Sequence, residues 1–443
     1  MDSIISTFTL KSNRDIDVNF EGGDLSSDSG LLLMKEFLFK TDLPHIIATT
    51  LATAGDAARR IHSDVENLLQ MLYQIFAGYF NDDNADDLTD EHVINECVGK
   101  DKLASQPTLS RFFGRMTQET LKQFWEIMRQ LRNTVYKIEG MPNNILLDMD
   151  STLVNAYGHQ EGTKYNHHYS AVGYHPLMCY DGFTGDLLRA WFREGSDYCC
   201  NGAAEMMEPL LEELKSDLPG VNLFARADSG FASPELYELF EKHNVSYVIR
   251  LKENDALLRL VKPLEMELFG MAKYNMIDQA AVYGEFEYQA KSWSHPRRVA
   301  VKVEKPAGTF MHKYSFIVTN IVGLTPEYLV KFYCKRGVME NFIKECKDGF
   351  DANSASSKNF VVNACRFQVH LLAYNAINYF RRLALPAKMK KDRIETIRFK
   401  LFKVASRVIR HSRRLKFKLC TSCVYKDEWA ETLQNIQSLP NVV

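Results

Sequence analysis

The chain has 443 residues, more than a single domain usually holds, which favours one large domain with helical additions or an inserted subdomain. Hydrophobic residues make up 46% of it, with only 13 Pro and 23 Gly, so fibrous and disordered classes are excluded. The net charge is −2, no apolar segment is long enough to cross a membrane, and nine scattered cysteines suggest no disulfide framework, so we expect a cytoplasmic protein.

Residues 1–140 are predicted to be mostly helical. Ser63 and Glu66 have the spacing of a capping box, and apolar residues follow them at helical intervals. Pro107 is predicted to start a short helix, and Thr117 to cap the next one.

From Asn144 onward, strands are predicted to alternate with helices. Buried strands are expected at 145–150, 221–227 and 245–251, helices at 203–214 and 234–243, and a hairpin from 171–180 to 185–192. This alternation predicts a mixed α/β sheet. Residues 254–324 are strand-like and indicate an inserted β subdomain, after which helices are expected to the end of the chain.

Three acids have the placement that a two-metal phosphoryl-transfer site requires. Asp150 ends the first core strand, Asp228 follows the second, and Glu340 lies on the helix after the insertion. Carboxylates at the carboxyl ends of strands emerge in a crevice, and their oxygens suit Mg²⁺ or Mn²⁺. We predict that these residues are catalytic and hold two ions, which activate a water or a 3′-hydroxyl for attack at phosphorus. Asp148 lies two residues before Asp150, faces the same side of the strand and remains an alternative first ligand.

A second pattern surrounds Glu340. Tyr333, Arg336, Glu340 and Lys347 fall within an arc of roughly 60° on one helix face. A guanidinium, an ammonium and a phenol beside a metal-binding acid could clamp phosphate groups, so we predict that Tyr333, Arg336 and Lys347 bind DNA. An ordinary polar helix face is the alternative.

The charge of the chain is strongly localised. Residues 381–418 contain 15 Lys and Arg against two acids, Asp392 and Glu395. This density predicts a phosphate-binding surface on helices rather than a merely solvated basic face. The residues chosen as DNA contacts here are Arg381, Arg382, Arg413 and Arg414.

These patterns resemble a known family. The spacing Y-x-x-R-x-x-x-E, with Lys seven residues beyond the Glu, is similar to the YREK signature of insertion-sequence transposases that carry a DDE triad. The stretches LLDMDSTLVNAYGHQEG and RADSGFASPEL resemble that family's two aspartate blocks, and AGYFNDDNADDL resembles its N-terminal region. In the family the first acid precedes a small residue and Thr, as Asp150 precedes Ser151 and Thr152, which favours Asp150 over Asp148.

The resemblance implies an RNase H-like core, nicking and strand transfer, often through a hairpin intermediate, and a homodimer that bridges two element ends. We therefore expect a helical N-terminal region for DNA binding or dimerisation at 1–140, a catalytic core at 141–253 and 325–380, the β insertion at 254–324, and a basic helical region at 381–443. The expected partners are duplex DNA at the terminal inverted repeats and at the target, in the bacterial cytoplasm near the nucleoid. Two alternatives remain, a nuclease on the same fold that does not join strands and a domesticated DNA-binding protein that no longer cuts. The second predicts loss of an acid, whereas all three are present.

Overall fold

The computed structural model describes residues 7–275, 279–309, 311–412 and 414–441. The chain forms two compact units, Met1–Ile127 with Leu372–Val443, and Met128–Leu371. We call these the terminal unit and the central unit. Arg413, one of the predicted DNA contacts, lies outside the described residues. No helix in the described part of the chain is both long and apolar enough to cross a bilayer.

The N-terminal part of the chain is mainly helical, as expected. Its elements are β1 (Phe8–Thr9), β2 (Asp17–Val18), β3 (Leu25–Ser26), α1 (Leu31–Lys40), α2 (Leu43–Thr50), α3 (Asp64–Ala77), α4 (Asn84–Asp87), α5 (His92–Val98), α6 (Gln106–Gly114) and α7 (Gln118–Glu139). The capping box at Ser63 and Glu66 is confirmed: each side chain accepts a hydrogen bond from the other residue's backbone N–H, which fixes the start of α3.

The central part is a mixed α/β structure. Its elements are β4 (Asn144–Ser151), β5 (Val154–Asn155), β6 (Lys164–Asn166), β7 (Ala171–Tyr174), β8 (Leu177–Asp181), β9 (Leu187–Trp191), α8 (Ala203–Asp217), β10 (Asn222–Ala227), α9 (Pro234–Lys242), β11 (Ser246–Leu251), α10 (Asp255–Leu260), α11 (Lys262–Asn275), β12 (Ala280–Tyr288), β13 (Arg297–Lys305), β14 (Lys313–Thr319), α12 (Pro326–Cys334) and α13 (Gly337–Phe350).

The last part returns to the terminal unit. Its elements are α14 (Phe360–Leu383), α15 (Ile394–Ile397), β15 (Ser406–His411), β16 (Arg414–Leu419) and α16 (Lys426–Ser438). The expectation of helices throughout this region is wrong at 406–419, where the two strands pair antiparallel and β15 also pairs with β3. Cationic and apolar residues alternate along β16 with a period of two, which suits a strand that is buried on one face.

One large sheet organises the central unit. Its eight strands have the order β12-β13-β14-β11-β10-β4-β8-β9. The strands predicted as an insertion, β12 to β14, therefore continue the same sheet through the antiparallel pair β11 and β14. The predicted hairpin at 171–192 is present only in part. β8 and β9 pair with each other in this sheet, whereas β7, at the start of the predicted first strand, pairs with β5 and β6 in a separate sheet.

The hydrophobic core explains why β4 and β10 lie at the centre. β4 is buried at every position except its first residue and Asp150. Leu147 and Met149 of β4 and Ala225 of β10 belong to a core cluster that includes the buried faces of α8 and α9. Removing this apolar surface from water holds the two strands side by side, and the residues just beyond their carboxyl ends are thereby held close together.

Candidate catalytic site

The first two predicted acids emerge from neighbouring parallel strands. Ala227 of β10 is paired with Met149 of β4, so the next residue on each strand, Asp228 and Asp150, leaves the same edge of the sheet. Asp228 turns immediately and accepts a hydrogen bond from the backbone N–H of Gly230, 2.8 Å away. The parallel register thus brings together two carboxylates that are 78 residues apart in sequence.

Arg336 lies between these carboxylates. One nitrogen of its guanidinium is 2.7 Å from Oδ2 of Asp150 and 3.9 Å from Oδ2 of Asp228. The side chains of Arg336 and Asp150 retain only 12% and 17% of their exposure, so water screens their ion pair weakly. The guanidinium supplies positive charge at the point that both acids face.

Glu340 contributes to the same electrostatic environment. Burial raises the pKa of the Asp150 carboxyl to about 6; Arg336 opposes this shift, whereas the carboxylates of Asp228 and Glu340 add to it. A buried carboxyl whose ionisation is opposed by two neighbouring carboxylates lies in a site with too little positive charge, which suits a divalent cation. Arg336 lies between the two aspartates in this structure. Within the described ranges, no three His, Cys, Asp or Glu side chains are close enough together to hold a metal ion.

The helix that carries Glu340 is not continuous. The predicted single helix is wrong, because α12 ends at Cys334 and α13 begins at Gly337, with tight backbone turns between them. Tyr333 and Arg336 lie at this junction, and Glu340 is exposed in the first turn of α13. Burial is the main cause that raises the pKa of the Tyr333 phenol. The break turns Arg336 towards the aspartates.

Lys347 has a different position from the one expected. Its ammonium donates to the carbonyl of Leu153 at 2.8 Å and to Oγ1 of Thr152 at 3.3 Å, and burial lowers its pKa. These acceptors follow Asp150 closely in the chain. Lys347 therefore anchors the segment that leaves β4.

Asp148, the alternative first ligand, is fully engaged. It is completely buried, and Nε and Nη2 of Arg226 donate to its two oxygens at 2.6 Å and 2.5 Å. A third guanidinium nitrogen of Arg226 donates to the carbonyl of Phe332 at 2.8 Å. Asp148 thus joins β4 and β10 to the end of α12, and Asp150 is the carboxylate left at the edge.

A cavity of about 410 Å³ opens beside the two aspartates. Tyr169 donates its hydroxyl hydrogen to the carbonyl of Ser151, and the ammonium of Lys252 lies 3.1 Å from the Tyr198 hydroxyl. The full lining consists of Asp150, Ser151, Tyr165, Asn166, His167, His168, Tyr169, His175, Ser196, Asp197, Tyr198, Cys199, Asp228, Ser229, Gly230 and Lys252. Sequence reasoning missed Tyr169, Tyr198 and Lys252, since they come from separate segments with no common motif; the aromatic and histidine-rich stretch at 165–175 was the available signal.

The predicted DNA contacts of the basic region belong to the terminal unit and differ in exposure. Arg381 and Arg382 are half-buried in the last turn of α14, where Arg381 donates to Asn378 and Arg382 lies over the Tyr379 ring. Arg414 is exposed on β16. Arg398, in the same basic region, is buried and donates to the carbonyls of two residues of α3, so charge in the sequence does not mean free charge at the surface.

Comparison with known proteins gives a family match over almost the whole chain. The family model described as "Transposase DDE domain group 1" matches residues 8–441. No curated protein matches the chain. Among solved structures, the cryo-EM structure of the piggyBac transposase synaptic complex with hairpin DNA matches 99% of this chain and 88% of that chain, at 14% identity and a TM-score of 0.43.

Proposed function

The chain belongs to the family of transposases with a DDE domain of group 1, and from this premise we propose that it moves an insertion-sequence element. It is a DNA transposase, an enzyme that cuts DNA and transfers strands. In our proposal it cleaves the terminal inverted repeats of the element and joins the released ends to target DNA. The observation that carries this proposal is the meeting of Asp150 and Asp228 around one charged nitrogen of Arg336.

Enzymes of this family use divalent metal ions. We propose that Asp150, Asp228 and Glu340 hold two ions, Mg²⁺ or Mn²⁺, and that the ions activate the attacking oxygen and stabilise the leaving one. The crowding of negative charge around Asp150 and the oxygen character of the donors support this assignment. Arg336 lies 2.7 Å from Oδ2 of Asp150, so the guanidinium and a cation would compete for this carboxylate.

The residues around the acids have separate proposed roles. Arg336, once released, is placed to bind a phosphate of the scissile strand, and Tyr333 beside it lines the approach. Lys347 keeps the segment after β4 in position through its bonds to Thr152 and Leu153. The YREK signature thus describes one phosphate clamp and one structural anchor, rather than four equivalent side chains.

Larger features of the proposal rest on the sequence resemblance. We propose that β9, β8, β4, β10 and β11 form an RNase H-like core, since both aspartates leave this part of the sheet. The helical regions on either side, the homodimer and the location in a bacterial cytoplasm near the nucleoid remain predictions. The domain limits expected from the sequence also remain predictions.

The test uses purified protein, Mg²⁺ and duplexes made from the DNA on either side of the gene. We expect Glu340→Gln to abolish strand cleavage while leaving the affinity for those duplexes nearly unchanged, because the amide loses the charge that holds the metal but touches no DNA contact. Asp348→Asn, an exposed change on the same helix, is the matched control and should cleave like the wild type.

Cleavage by Glu340→Gln at the wild-type rate would contradict the proposed role of Glu340. Products that are cut but never joined to a second duplex would favour a nuclease on the same fold. Binding without cutting by the wild-type protein would favour the domesticated DNA-binding alternative.

A further inference from the structure

The hairpin of β15 and β16 has two chemically different faces. Residues that are directly paired across antiparallel strands point to the same face, and the face changes at each successive pair. One face carries the pairs Ser406 with Leu419, Val408 with Phe417, and Arg410 with Leu415. All of these residues except Arg410 are buried or half-buried, so this side packs against the terminal unit.

The other face is cationic. It carries the pairs Arg407 with Lys418, Ile409 with Lys416, and His411 with Arg414. Every one of these residues is exposed except Ile409, which is half-buried. We call Arg407, Arg414, Lys416 and Lys418 the cationic face.

These cations differ from the others in the basic region. Lys388, Lys400 and Lys403 are each within 2.8 Å of a carboxylate, of Glu428, Asp392 and Asp28 respectively. No residue of the cationic face has an ion pair or a side-chain hydrogen bond within the described ranges. Such a concentration of exposed like charge costs self-repulsion unless a polyanion offsets it.

We propose that the hairpin of β15 and β16 enters the major groove of duplex DNA at the element ends, with the cationic face towards the base edges and phosphates. A major groove about 12 Å wide admits a two-stranded ribbon, whose strands lie about 4.8 Å apart. Among the described residues, β3 pairs only with Ser406 and Arg407 at the base of the hairpin, so its outer part is two-stranded. Arg407 and Arg414 have the bidentate donors that recognise guanine, and the two lysines suit phosphates or guanine oxygens.

The composition of the face argues against other polyanions. A single strand is usually held by aromatic stacking, but Phe417 lies on the opposite side of the hairpin. The major groove of duplex RNA is too narrow for side chains to enter. Anchoring to a membrane would need an apolar surface, and Ile409 is the one apolar residue among the six of this face.

The inference rests on the proposed function, because the duplex is the end of the element.

The test measures binding of the full chain, by fluorescence anisotropy over a salt series, to duplexes tiled across the DNA that flanks the gene. We expect the triple variant Arg407→Gln, Lys416→Gln, Lys418→Gln to lose about 100-fold in affinity for the duplex that the wild type prefers. The slope of log affinity against log salt should fall by about 2 to 3, close to 0.9 for each phosphate contact removed. The matched control is Arg410→Gln, which removes an exposed cation from the opposite face and should bind normally.

Two further measurements separate groove reading from general charge and from misfolding. Dimethyl sulfate methylates N7 of guanine in the major groove and N3 of adenine in the minor groove. Guanine protection should be present with the wild type and with Arg410→Gln, and absent with the triple variant. The double variant Arg407→Lys, Arg414→Lys keeps the charge and the fold but loses the bidentate donors, so it should keep the salt slope and weaken guanine protection.

Unchanged affinity, slope and guanine protection in the triple variant would overturn the inference, and so would protection of adenine N3 alone. If the wild type cleaves the flanking DNA in the same experiments, the proposed function survives such a result. If the wild type does not cleave, the proposed function fails by itself, whatever the hairpin binds.

Discussion

Asp150 shows how a carboxylate becomes available for a cation. It is the penultimate residue of the buried strand β4, the charges of Asp228 and Glu340 act on it, and Arg336 is its neutralising neighbour. Burial raises its pKa to about 6 because it disfavours the ionised carboxylate. The ionised side chain therefore lowers the stability of the folded protein. An electrostatic cost of this kind is expected where a site binds a positively charged ligand.

Asp150→Asn should stabilise the metal-free protein at neutral pH. A carboxyl whose pKa is raised from 3.8 to about 6 on folding binds its proton more tightly in the folded state, so its contribution to stability falls as pH rises through that window. Replacing it with a neutral group removes a cost of about 3 kcal/mol at pH 7. Thermal unfolding with a chelator should therefore show a gain that grows between about pH 4 and pH 6 and changes little above that range.

Asp348→Asn serves as the control for that experiment, because Asp348 is exposed on α13. Its melting temperature should follow the wild type at every pH. A metal-free Asp150→Asn protein that melts below the wild type at neutral pH would show that the pair with Arg336 outweighs the cost of burial.

At the scale of elements, the buried pair of Asp148 and Arg226 joins three of them. It connects the neighbouring strands β4 and β10, and the bond from Arg226 to the Phe332 carbonyl adds the end of α12. Tyr333 and Arg336 follow Phe332 within four residues, so this pair holds the chain just before them against β4 and β10. Gly182 is also required here, because a Cβ at that position would lie 2.3 Å from Oδ2 of Asp148.

Arg226→Leu should destabilise the central unit by about 3 to 5 kcal/mol, because it leaves the carboxylate of Asp148 buried without a counter-charge. The double variant Asp148→Asn, Arg226→Leu should recover part of this loss, since no isolated charge remains. Urea midpoints measured by circular dichroism compare the variants. Lys331→Gln, which breaks an exposed pair with Glu327 on α12, should leave the midpoint unchanged.

A double variant no more stable than Arg226→Leu would indicate that packing, rather than the uncompensated charge, limits the stability of this part of the sheet.

For the whole molecule, the net charge of −2 is the sum of an acidic site and a strongly basic surface. The central unit gathers acids at one edge of its sheet, and the terminal unit presents the cationic face on its hairpin. In the proposal, Arg336 binds the scissile strand beside the metal ligands, whereas the cationic face supplies DNA contacts that do not depend on the metal. Metal binding and duplex binding by the cationic face should therefore each be removable without loss of the other.

Chelation of divalent ions should stop cleavage without preventing DNA binding. Mg²⁺ added back should restore cleavage and raise the melting temperature, since a ligand that binds only the folded state stabilises it. The rise should be absent in Glu340→Gln, which keeps the fold but loses one of the proposed ligand carboxylates. Cleavage in the presence of excess chelator would count against any metal-dependent mechanism.

Much of the local structure was predictable because it depends on neighbouring residues. The capping box at Ser63, the strand that carries Asp150 and the strand before Asp228 all follow from spacing within a few positions. The alternation of cationic and apolar residues in β16 was also readable, but the density of charge favoured a helical interpretation. The break before Gly337 carried only a weak signal, a single glycine with no Pro beside it.

By itself the sequence determined the kind of enzyme and the positions of the central strands, since side-chain chemistry and short-range periodicity can be read directly from the residues; the catalytic role of the three acids stays a prediction. Only the tertiary structure decided that Arg336 lies between two aspartates, that Asp148 is occupied by Arg226, and that some cations of the basic region are paired while four others share an open face. These outcomes depend on contacts between residues far apart in the chain, and the packing of the sheet and its helices sets those contacts.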